Sequence, residues 1–268
     1  MNEITQLKLE GVDYFVPLST GVQKSILENI TIDIKSHSHR NSFTSIIAPF
    51  GSGKSTLLKI ISGSLTPTKG QIKFYNDSGI SQIPKAVLIN EHKNYLSWLS
   101  VKKNIEFTIE NSRYTGKKSN SDIQNIIDLV GLNGYEDHIP NSKSKGFIFR
   151  ISIGNALITN PDFILLDEPF RNFTSSLRSE VYQVLQDIKS NTKVNFILAT
   201  TNILESIHFS DMVYMMQKNP GLIFDSLEID RSKISAWPDI NEYTKKIIME
   251  IQNRFAAKKN LEIINFSI

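Results

Sequence analysis

Short apolar runs alternate with helical patterns along most of this chain. The runs are bounded by Gly, Pro and Asn, and two of them, "FILLD" and "NFILAT", show no alternation of apolar and polar positions. Such continuous runs are typical of strands buried on both faces of a parallel sheet. The pattern therefore predicts an α/β fold whose candidate strands are "FTSIIA", "AVLIN", "DFILLD", "VNFILAT" and "DMVYMM".

A glycine-rich loop, "APFGSGKST", lies between the strand "FTSIIA" and the helical segment "STLLKIISG". A phosphate-binding loop needs this order, because glycines let backbone N–H groups turn toward an anion at the positive end of a helix. We expect Lys54 to reach the β- and γ-phosphates of a nucleotide and Ser55 to bind Mg²⁺. The candidate nucleotide-binding residues of the loop are Ala48, Pro49, Phe50, Gly51, Ser52, Gly53, Lys54, Ser55 and Thr56.

The loop departs from the pattern G-x-x-x-x-G-K-[ST] at its first position, where Ala48 stands in place of glycine. Alanine costs little at that position if its φ is below zero. Taken alone, the segment is also compatible with a Gly/Ser turn that carries a solvent-facing lysine. A second motif is therefore needed to support the phosphate loop.

That second motif is "FILLDEPF" at residues 163–170, where an apolar strand ends in two adjacent carboxylates and a proline. In isolation the motif is often a solvated turn. Paired with a phosphate loop upstream, it predicts that Asp167 holds Mg²⁺ through water and that Glu168 polarises an attacking water. Together the two motifs indicate a site that binds a nucleoside triphosphate and hydrolyses it.

Composition and charge narrow the class of protein. The chain has 268 residues, which is enough for one sizeable domain with an appendage, and its 30 basic and 27 acidic side chains are spread without a basic block. We therefore expect no nucleic-acid surface. No apolar run approaches the roughly 18 to 20 residues that cross a membrane, so we expect a soluble, cytoplasmic chain. The absence of cysteine excludes disulfides and thiolate metal ligands.

The ordered motifs resemble those of the ATP-binding subunits of ABC transporters over nearly the whole chain. "ISGSLTPTKGQIKF" resembles the family's link after the phosphate helix, and "YLSWLSVKKNIEF" resembles a segment of nitrate, sulfonate and taurine importers. The tail "SLEIDRSK…EYTKKIIMEIQ" resembles the same group. The resemblance implies a P-loop NTPase of ABC type, with a mainly parallel sheet, flanking helices, an antiparallel β portion and a helical insert. It places the nucleotide-binding domain at 1–224, the insert at about 92–147 and a tail at 225–268.

The sequence departs from the family pattern at several positions near the chemistry. The family's metal-contacting Gln falls on Glu91, with Asn90 as an off-by-one alternative. The signature motif falls on "KSKGF", where Ser144 and Gly146 match the family while Lys145 replaces its first glycine. This lysine either blocks close approach to the γ-phosphate of the opposite subunit or adds a positive charge beside it.

Two more departures fall on threonines. The family's cross-dimer Asp falls on Thr174, and the His that contacts the γ-phosphate falls on Thr201. Threonine is shorter than histidine and has no titratable nitrogen. An aromatic residue often stacks on adenine in this family, and Tyr14 or Phe15 is the candidate, with core packing as the alternative.

The resemblance implies a subunit that binds ATP with Mg²⁺, pairs with a second ATP-binding subunit and couples hydrolysis to solute transport. Its partners are separate membrane permease subunits and a separate solute-binding protein, which place it on the cytoplasmic face of the membrane. Because of the substituted motifs we expect slow turnover. The alternative is a regulatory or structural subunit, impaired in hydrolysis and paired with another ATPase. A soluble ABC protein acting on nucleic acid is disfavoured by the single ATPase domain.

Two amphipathic helices are predicted outside the motifs. "SDIQNIIDLVGL" predicts a helix in the insert, with Ser121 or Asp122 near its N-cap and Gly131 at its end. The second helix lies in the tail, and its apolar face either docks on its own domain or contacts a second copy. That face consists of Tyr243, Ile247, Ile248, Ile251 and Phe255.

Overall fold

A computed structural model describes most of the chain. Among the predicted site residues, Glu91 lies outside the described part. None of the described helices is long and apolar enough to cross a membrane. The described residues are 4–19, 21–35, 41–76, 79–81, 84–90, 94–112, 118–140, 144–235, 237 and 239–258.

A six-stranded sheet carries the predicted strands. Its order is β10-β9-β3-β8-β7-β6, and all neighbours are parallel except the antiparallel pair β9 and β10. The five strands predicted from apolar runs are confirmed to within about one residue at each end. The strands are β3 (Phe43–Ile47), β6 (Ala86–Ile89), β7 (Phe163–Asp167), β8 (Asn195–Thr200), β9 (Met212–Gln217) and β10 (Leu222–Glu228).

A second sheet is antiparallel and has the order β2-β1-β4-β5. The two long strands pair along most of their length, with register shifts in β1 that include one between Tyr14 and Phe15. This sheet is the antiparallel β portion that the family resemblance implies. Its strands are β1 (Ile4–Pro17), β2 (Gln23–Lys35), β4 (Lys69–Asn76) and β5 (Gly79–Ser81).

Seven α-helices and one short 3-10 helix are found in the described part of the chain. They are α1 (Lys54–Ile61), α2 (Val101–Asn111), α3 (Asn120–Leu129), α4 (Lys145–Leu157), α5 (Ser175–Asn191), α6 (Ile203–Phe209), the 3-10 helix Arg231–Lys233 and α7 (Glu242–Ala257). Helices α2 and α3 fall within the predicted insert. The division into domain, insert and tail stays a prediction.

The core has three parts, which together fix the position of the phosphate loop. One part lies between the two sheets and includes the apolar face of α1, and a second includes buried residues of β7 and β8 together with α2 to α5. The third joins α6 and α7 to the outer strands of the large sheet. Strand β3 contributes Ile46 to the first part and Ile47 to the third, so the loop that follows it starts from a strand buried on both faces.

The two predicted amphipathic helices are both present. In the insert, Ser119 is the N-cap of α3 and Asp122 closes a capping box at the third helical position, so Ser121 and Asp122 lie near the N-cap as predicted. Gly131 ends the helix with a φ of +68°, as predicted. In the tail, Ile247, Ile251 and Phe255 are buried in the third part of the core, so the apolar face of α7 docks on its own chain.

Candidate functional site

The loop after β3 has the backbone of a phosphate-binding loop. Gly51 and Gly53 have φ values of +76° and +94°, which favour glycine, whereas Ala48 is buried and does not have a positive φ. Alanine therefore fits the first position of the loop. Gly53 is the N-cap of α1. Because glycine has no side chain, no N-cap side chain accepts hydrogen bonds from the first N–H groups of this helix.

Gly53 also needs its lack of a side chain for packing. A Cβ at Gly53 would lie 2.8 Å from the Leu27 side chain and 3.2 Å from the Ile26 carbonyl oxygen. Gly221 lies in the turn between β9 and β10 and approaches the loop from the other side. Its N–H donates to Ile26 O at 2.9 Å. A Cβ on Gly221 would overlap with the Ser52 carbonyl oxygen. The loop is thus held between β2 and the turn between β9 and β10. No sequence motif marks Gly221 in that turn.

Lys54 lies at the base of the loop and is only 5% exposed. Its Nζ donates to the carbonyl oxygens of Ala48 at 3.0 Å and Pro49 at 3.1 Å, and lies 3.2 Å from Glu168 Oε1. Burial lowers the pKa of Lys54, and the neighbouring Glu168 carboxylate opposes that shift. Three oxygen atoms therefore hold the ammonium group where a phosphate can replace them.

Glu168 follows β7 in a left-handed conformation with φ of +48°, which is uncommon for a residue other than glycine. Its N–H donates to Ala199 O at 2.9 Å. Its Oε2 accepts hydrogen bonds from Thr201 N at 3.2 Å and Thr201 Oγ1 at 3.4 Å. The structure thus brings together three residues that the sequence analysis assigned separately: Lys54, Glu168 and Thr201.

Asp167 and Ser55 are the oxygen donors predicted for a metal ion. Asp167 Oδ1 is buried and has no hydrogen-bond partner among the described residues, and Ser55 is exposed in the first turn of α1. No cluster of three or more His, Asp or Glu side chains that could hold a metal occurs in the described part of the chain. Two oxygen donors fit Mg²⁺, which keeps several waters and takes its other ligands from substrate phosphates.

A cavity of about 310 Å³ opens above these residues. Ile26 lines the cavity from β2, and no sequence motif marks that position. Tyr14 is partly buried against the core between the two sheets, and it is not part of this lining. The cavity is lined by Ile26, Phe50, Gly51, Ser52, Gly53, Lys54, Ser55, Thr56 and Glu168.

The rim of the cavity carries an exposed aromatic residue. Phe50, at the tip of the loop, is 74% exposed, and the Arg171 guanidinium lies 5.2 Å from the centre of its ring. Phe15, the alternative candidate for adenine stacking, lies 5.8 Å beneath the Lys69 ammonium group. Which aromatic contacts the base stays a prediction.

The residues of the signature-like segment lie away from the cavity within one chain. The Ser144 hydroxyl caps α4 by accepting a hydrogen bond from Phe147 N at 3.3 Å, and Gly146 packs against the Leu177 side chain. Lys145 is exposed, and together with Asn90 it borders a separate cavity of about 410 Å³. Any contact of Lys145 with a nucleotide therefore requires a second subunit.

Thr174 also has a local role. It is the N-cap of α5, and its hydroxyl accepts a hydrogen bond from Leu177 N at 3.3 Å. Threonine is one of the preferred N-cap residues, as is the aspartate of the family pattern, so the helix begins normally despite the substitution.

Comparisons with known proteins identify the family of this chain. A family model described as ABC transporter matches residues 28–171. The aliphatic sulfonates import ATP-binding protein SsuB of Bacillus cereus (strain ATCC 10987 / NRS 248) is 31% identical over 252 residues, which cover 92% of this chain and 96% of that protein. The bicarbonate transport ATP-binding protein CmpC of Synechococcus elongatus is 29% identical over 225 residues, covering 83% of this chain and 33% of that protein.

Solved structures support the fold. The structure of cbiO1 from Clostridium perfringens, part of the ABC transporter complex cbiONQ, has a TM-score of 0.72 and 22% identity, covering 95% of this chain and 97% of that one. A dimeric ATP-binding cassette in a post-hydrolysis state with ADP and Pi has a TM-score of 0.67 and 24% identity, covering 84% and 99%. The family model and the 31% identical relative show that the chain belongs to the ABC transporter family, as an ATP-binding subunit.

Proposed function

We propose that ATP binds in the 310 Å³ cavity with its phosphates in the loop that follows β3, and that Glu168 activates water for hydrolysis. The observation that carries this proposal is the pair formed by Lys54 and Glu168 at the base of the cavity, 3.2 Å apart. A buried cation and a carboxylate at the ends of neighbouring elements match the two roles in phosphoryl transfer: charge stabilisation and water positioning.

Lys54 changes partners when the phosphates enter. Its Nζ leaves the carbonyl oxygens of Ala48 and Pro49 and the Glu168 carboxylate, and it donates to phosphate oxygens instead. Such charge-assisted hydrogen bonds are stronger than those to neutral carbonyls. Glu168 Oε1 is then released from its ion pair, while Oε2 keeps its two hydrogen bonds from Thr201.

The released Oε1 accepts a hydrogen bond from the attacking water. The water oxygen forms a bond to the γ-phosphorus as the bond to the bridging oxygen breaks. ADP keeps the electron pair of the broken bond, the water proton passes through Glu168 Oε1 to a phosphate oxygen, and ADP and inorganic phosphate leave. The N–H groups at the start of α1, which have no side-chain acceptor at the N-cap, contact the phosphates. Ser55 and Asp167 fit Mg²⁺, whose chemistry when bound is to neutralise charge on the β- and γ-phosphate oxygens.

Hydrolysis by this subunit is coupled to transport through membrane permease subunits, and the relatives named above are import and transport ATP-binding proteins. No comparison supports the alternative of a regulatory subunit impaired in hydrolysis. We infer that the transported solute is a small anion, because the names of those relatives give aliphatic sulfonates and bicarbonate, and that the chain lies on the cytoplasmic face of the membrane. A separate solute-binding protein completes this assignment.

An exposed apolar patch on the insert supports docking to a permease. Trp98 is 68% exposed, and Tyr135 and Ile139 are also exposed. The loop that carries Tyr135 and Ile139 runs beside the first turn of α2, where Val101 N donates to His138 O at 3.0 Å. A cluster of large apolar side chains on a surface is typical of an interaction site.

The substituted signature supports slow turnover. Lys145 replaces a glycine of the signature, and Thr201, which replaces the histidine that contacts the γ-phosphate, donates to Glu168 in this state. Loss of one γ-phosphate donor typically raises the barrier by about 2 to 4 kcal/mol, on the order of a hundredfold or more in rate. We therefore expect a kcat well below that of a subunit with an intact signature.

The proposal is tested by calorimetric titration of the nucleotide-free protein with MgATP. We expect a Kd between about 1 μM and 1 mM, the range typical of nucleotide sites, and a loss of at least tenfold in Lys54→Ala. Lys59→Ala is the matched control, because Lys59 is an exposed lysine of the same helix. Absence of binding to the folded wild type, or equal binding by Lys54→Ala, would contradict the proposal.

A further inference from the structure

We propose that Glu205 is a positioning residue for hydrolysis, because its buried carboxylate joins the two loops that hold Glu168. This inference rests on the proposed role of Glu168. Glu205 is 2% exposed and lies on α6, outside every motif identified in the sequence. A buried carboxylate is costly unless it is hydrogen-bonded or paired, so the partners of Glu205 indicate what it holds.

The first partner is Thr200, at the end of β8. Thr200 Oγ1 donates to Glu205 Oε2 at 2.6 Å and accepts from Asn202 N at 3.0 Å. Asn202 Oδ1 in turn accepts from Glu205 N at 3.0 Å, so the chain between Thr200 and Glu205 is closed by hydrogen bonds. Thr201 lies inside this closed turn, and it is the residue that donates twice to Glu168 Oε2.

The second partner is Arg178, on α5. Arg178 Nε lies 3.4 Å from Glu205 Oε1, and its Nη2 donates to Phe170 O at 3.5 Å. Phe170 is two residues beyond Glu168 in the loop after β7. One carboxylate therefore contacts the turn that donates to Glu168 and, through Arg178, the loop that carries Glu168.

The charge on Glu205 is sensitive to its surroundings. Burial raises the pKa of Glu205 to about 7, against the opposing effects of the Thr200 hydroxyl and the Arg178 guanidinium. The Glu168 carboxylate raises it further. Arg178 from α5 and Glu168 from the loop after β7 are the charged groups that act on Glu205 in the described part of the chain, and β8 contributes the hydroxyl of Thr200.

Protonation of Glu205 weakens its attraction to Arg178 and thus loosens the loop at Phe170. Displacement of a reacting group by about 1 Å costs on the order of a hundredfold in rate, whereas phosphate binding depends on Lys54 and the glycine loop. We therefore expect kcat to depend on the charge of Glu205 and the KM for ATP to change little.

The test measures kcat and KM for ATP from pH 6 to 8 in the wild type and Glu205→Gln, assembled with the subunits that support activity. Glutamine keeps an acceptor for Thr200 and removes the charge that faces Arg178. We expect kcat at pH 8 to fall about tenfold with KM within about twofold, and the rise of wild-type kcat through pH 7 to be lost. Glu180→Gln, which removes an exposed carboxylate that pairs with Arg150 at 3.6 Å, is the control and should match the wild type.

Arg178→Lys provides a second variant, because Arg178 is partly exposed and a lysine keeps the charge without the contact to Phe170. It should lower kcat by several-fold with KM unchanged. An unchanged kcat and pH profile in folded Glu205→Gln, or an unchanged kcat in Arg178→Lys, would overturn the inference. Failure of the proposed function has a different signature, namely wild-type hydrolysis that does not depend on Glu168.

Discussion

Glu205→Gln should change how the stability of the protein depends on pH. The folded-state pKa of Glu205 is about 7, above its ordinary value of 4.5. The folded state therefore holds this proton more tightly than the unfolded state does. The contribution of Glu205 to the stability of the folded state is full below about pH 4.5, and it is lost progressively as the pH rises through 7.

The size of the effect follows from these two values. Between pH 6 and pH 8, titration of Glu205 from a folded pKa of about 7 lowers the free energy of unfolding by about 1 kcal/mol. The assay is urea unfolding at pH 6 and pH 8 of the wild type, Glu205→Gln and the control Glu180→Gln. Other groups titrate similarly in all three proteins. The change in the free energy of unfolding between pH 6 and pH 8, compared among the three, therefore isolates the contribution of Glu205.

Between pH 6 and pH 8, we expect the free energy of unfolding of the wild type and of Glu180→Gln to fall by about 1 kcal/mol more than that of Glu205→Gln. Equal losses in all three proteins would refute the assignment of a raised pKa to Glu205. A larger loss in Glu205→Gln would show that the carboxylate is stabilised by Arg178 more than it is destabilised by burial.

Three further predictions concern the loops around the site. Gly221→Ala should destabilise the fold by about 1 to 3 kcal/mol and weaken ATP binding, because the added Cβ overlaps with the Ser52 carbonyl oxygen. Gly154→Ala is the control, because the nearest atom to its added Cβ is 3.5 Å away, and it should change neither stability nor binding. Urea unfolding and ATP titration of both variants make the comparison. Thr201→Val should lower kcat several-fold with KM unchanged, and Thr201→Ser should restore it; equal rates in a steady-state assay would exclude a role for the hydroxyl. Lys145→Gly combined with Thr201→His should raise kcat at unchanged ATP affinity, and a lower kcat would show that the native residues are competent.

The phosphate loop was predictable because its order and residue types determine the local backbone. Gly51 and Gly53 adopt the positive φ values that the loop requires, and Ala48 fits because its φ is not positive. The strand before Asp167 was predictable for a similar reason, since a continuous apolar run is buried on both faces in a parallel sheet. Local chemistry therefore accounts for the centre of the site.

The supports of the site were not predictable, because they come from residues far apart in the chain. Gly221 contacts the loop through a turn between β9 and β10, and Ile26 comes from a strand of the other sheet. Glu205 carries no motif, and its role depends on Arg178, 27 positions earlier. These contacts depend on tertiary packing, which local sequence patterns do not reveal.

The departures from the family pattern show the same division. Counting positions assigned Thr201 to the place of the family's histidine, and the structure adds that both its N–H and its hydroxyl donate to one carboxylate oxygen of Glu168. Thr174 caps a helix, which its residue type permits in any protein. Lys145 does not line the nucleotide cavity of its own chain and borders a separate cavity, so its contact with a nucleotide across a pair of subunits stays a prediction.

In the proposed mechanism, Glu168 activates water for an ATP molecule held by Lys54. The most direct measurement mixes MgATP with an excess of the assembled protein and follows the formation of ADP in a single turnover, for the wild type and Glu168→Gln, with Glu180→Gln as control. This mechanism predicts that all three bind ATP with similar affinity, that the wild type and Glu180→Gln form ADP, and that Glu168→Gln forms ADP at a rate at least a hundredfold lower. Formation of ADP by Glu168→Gln at the wild-type rate would contradict it.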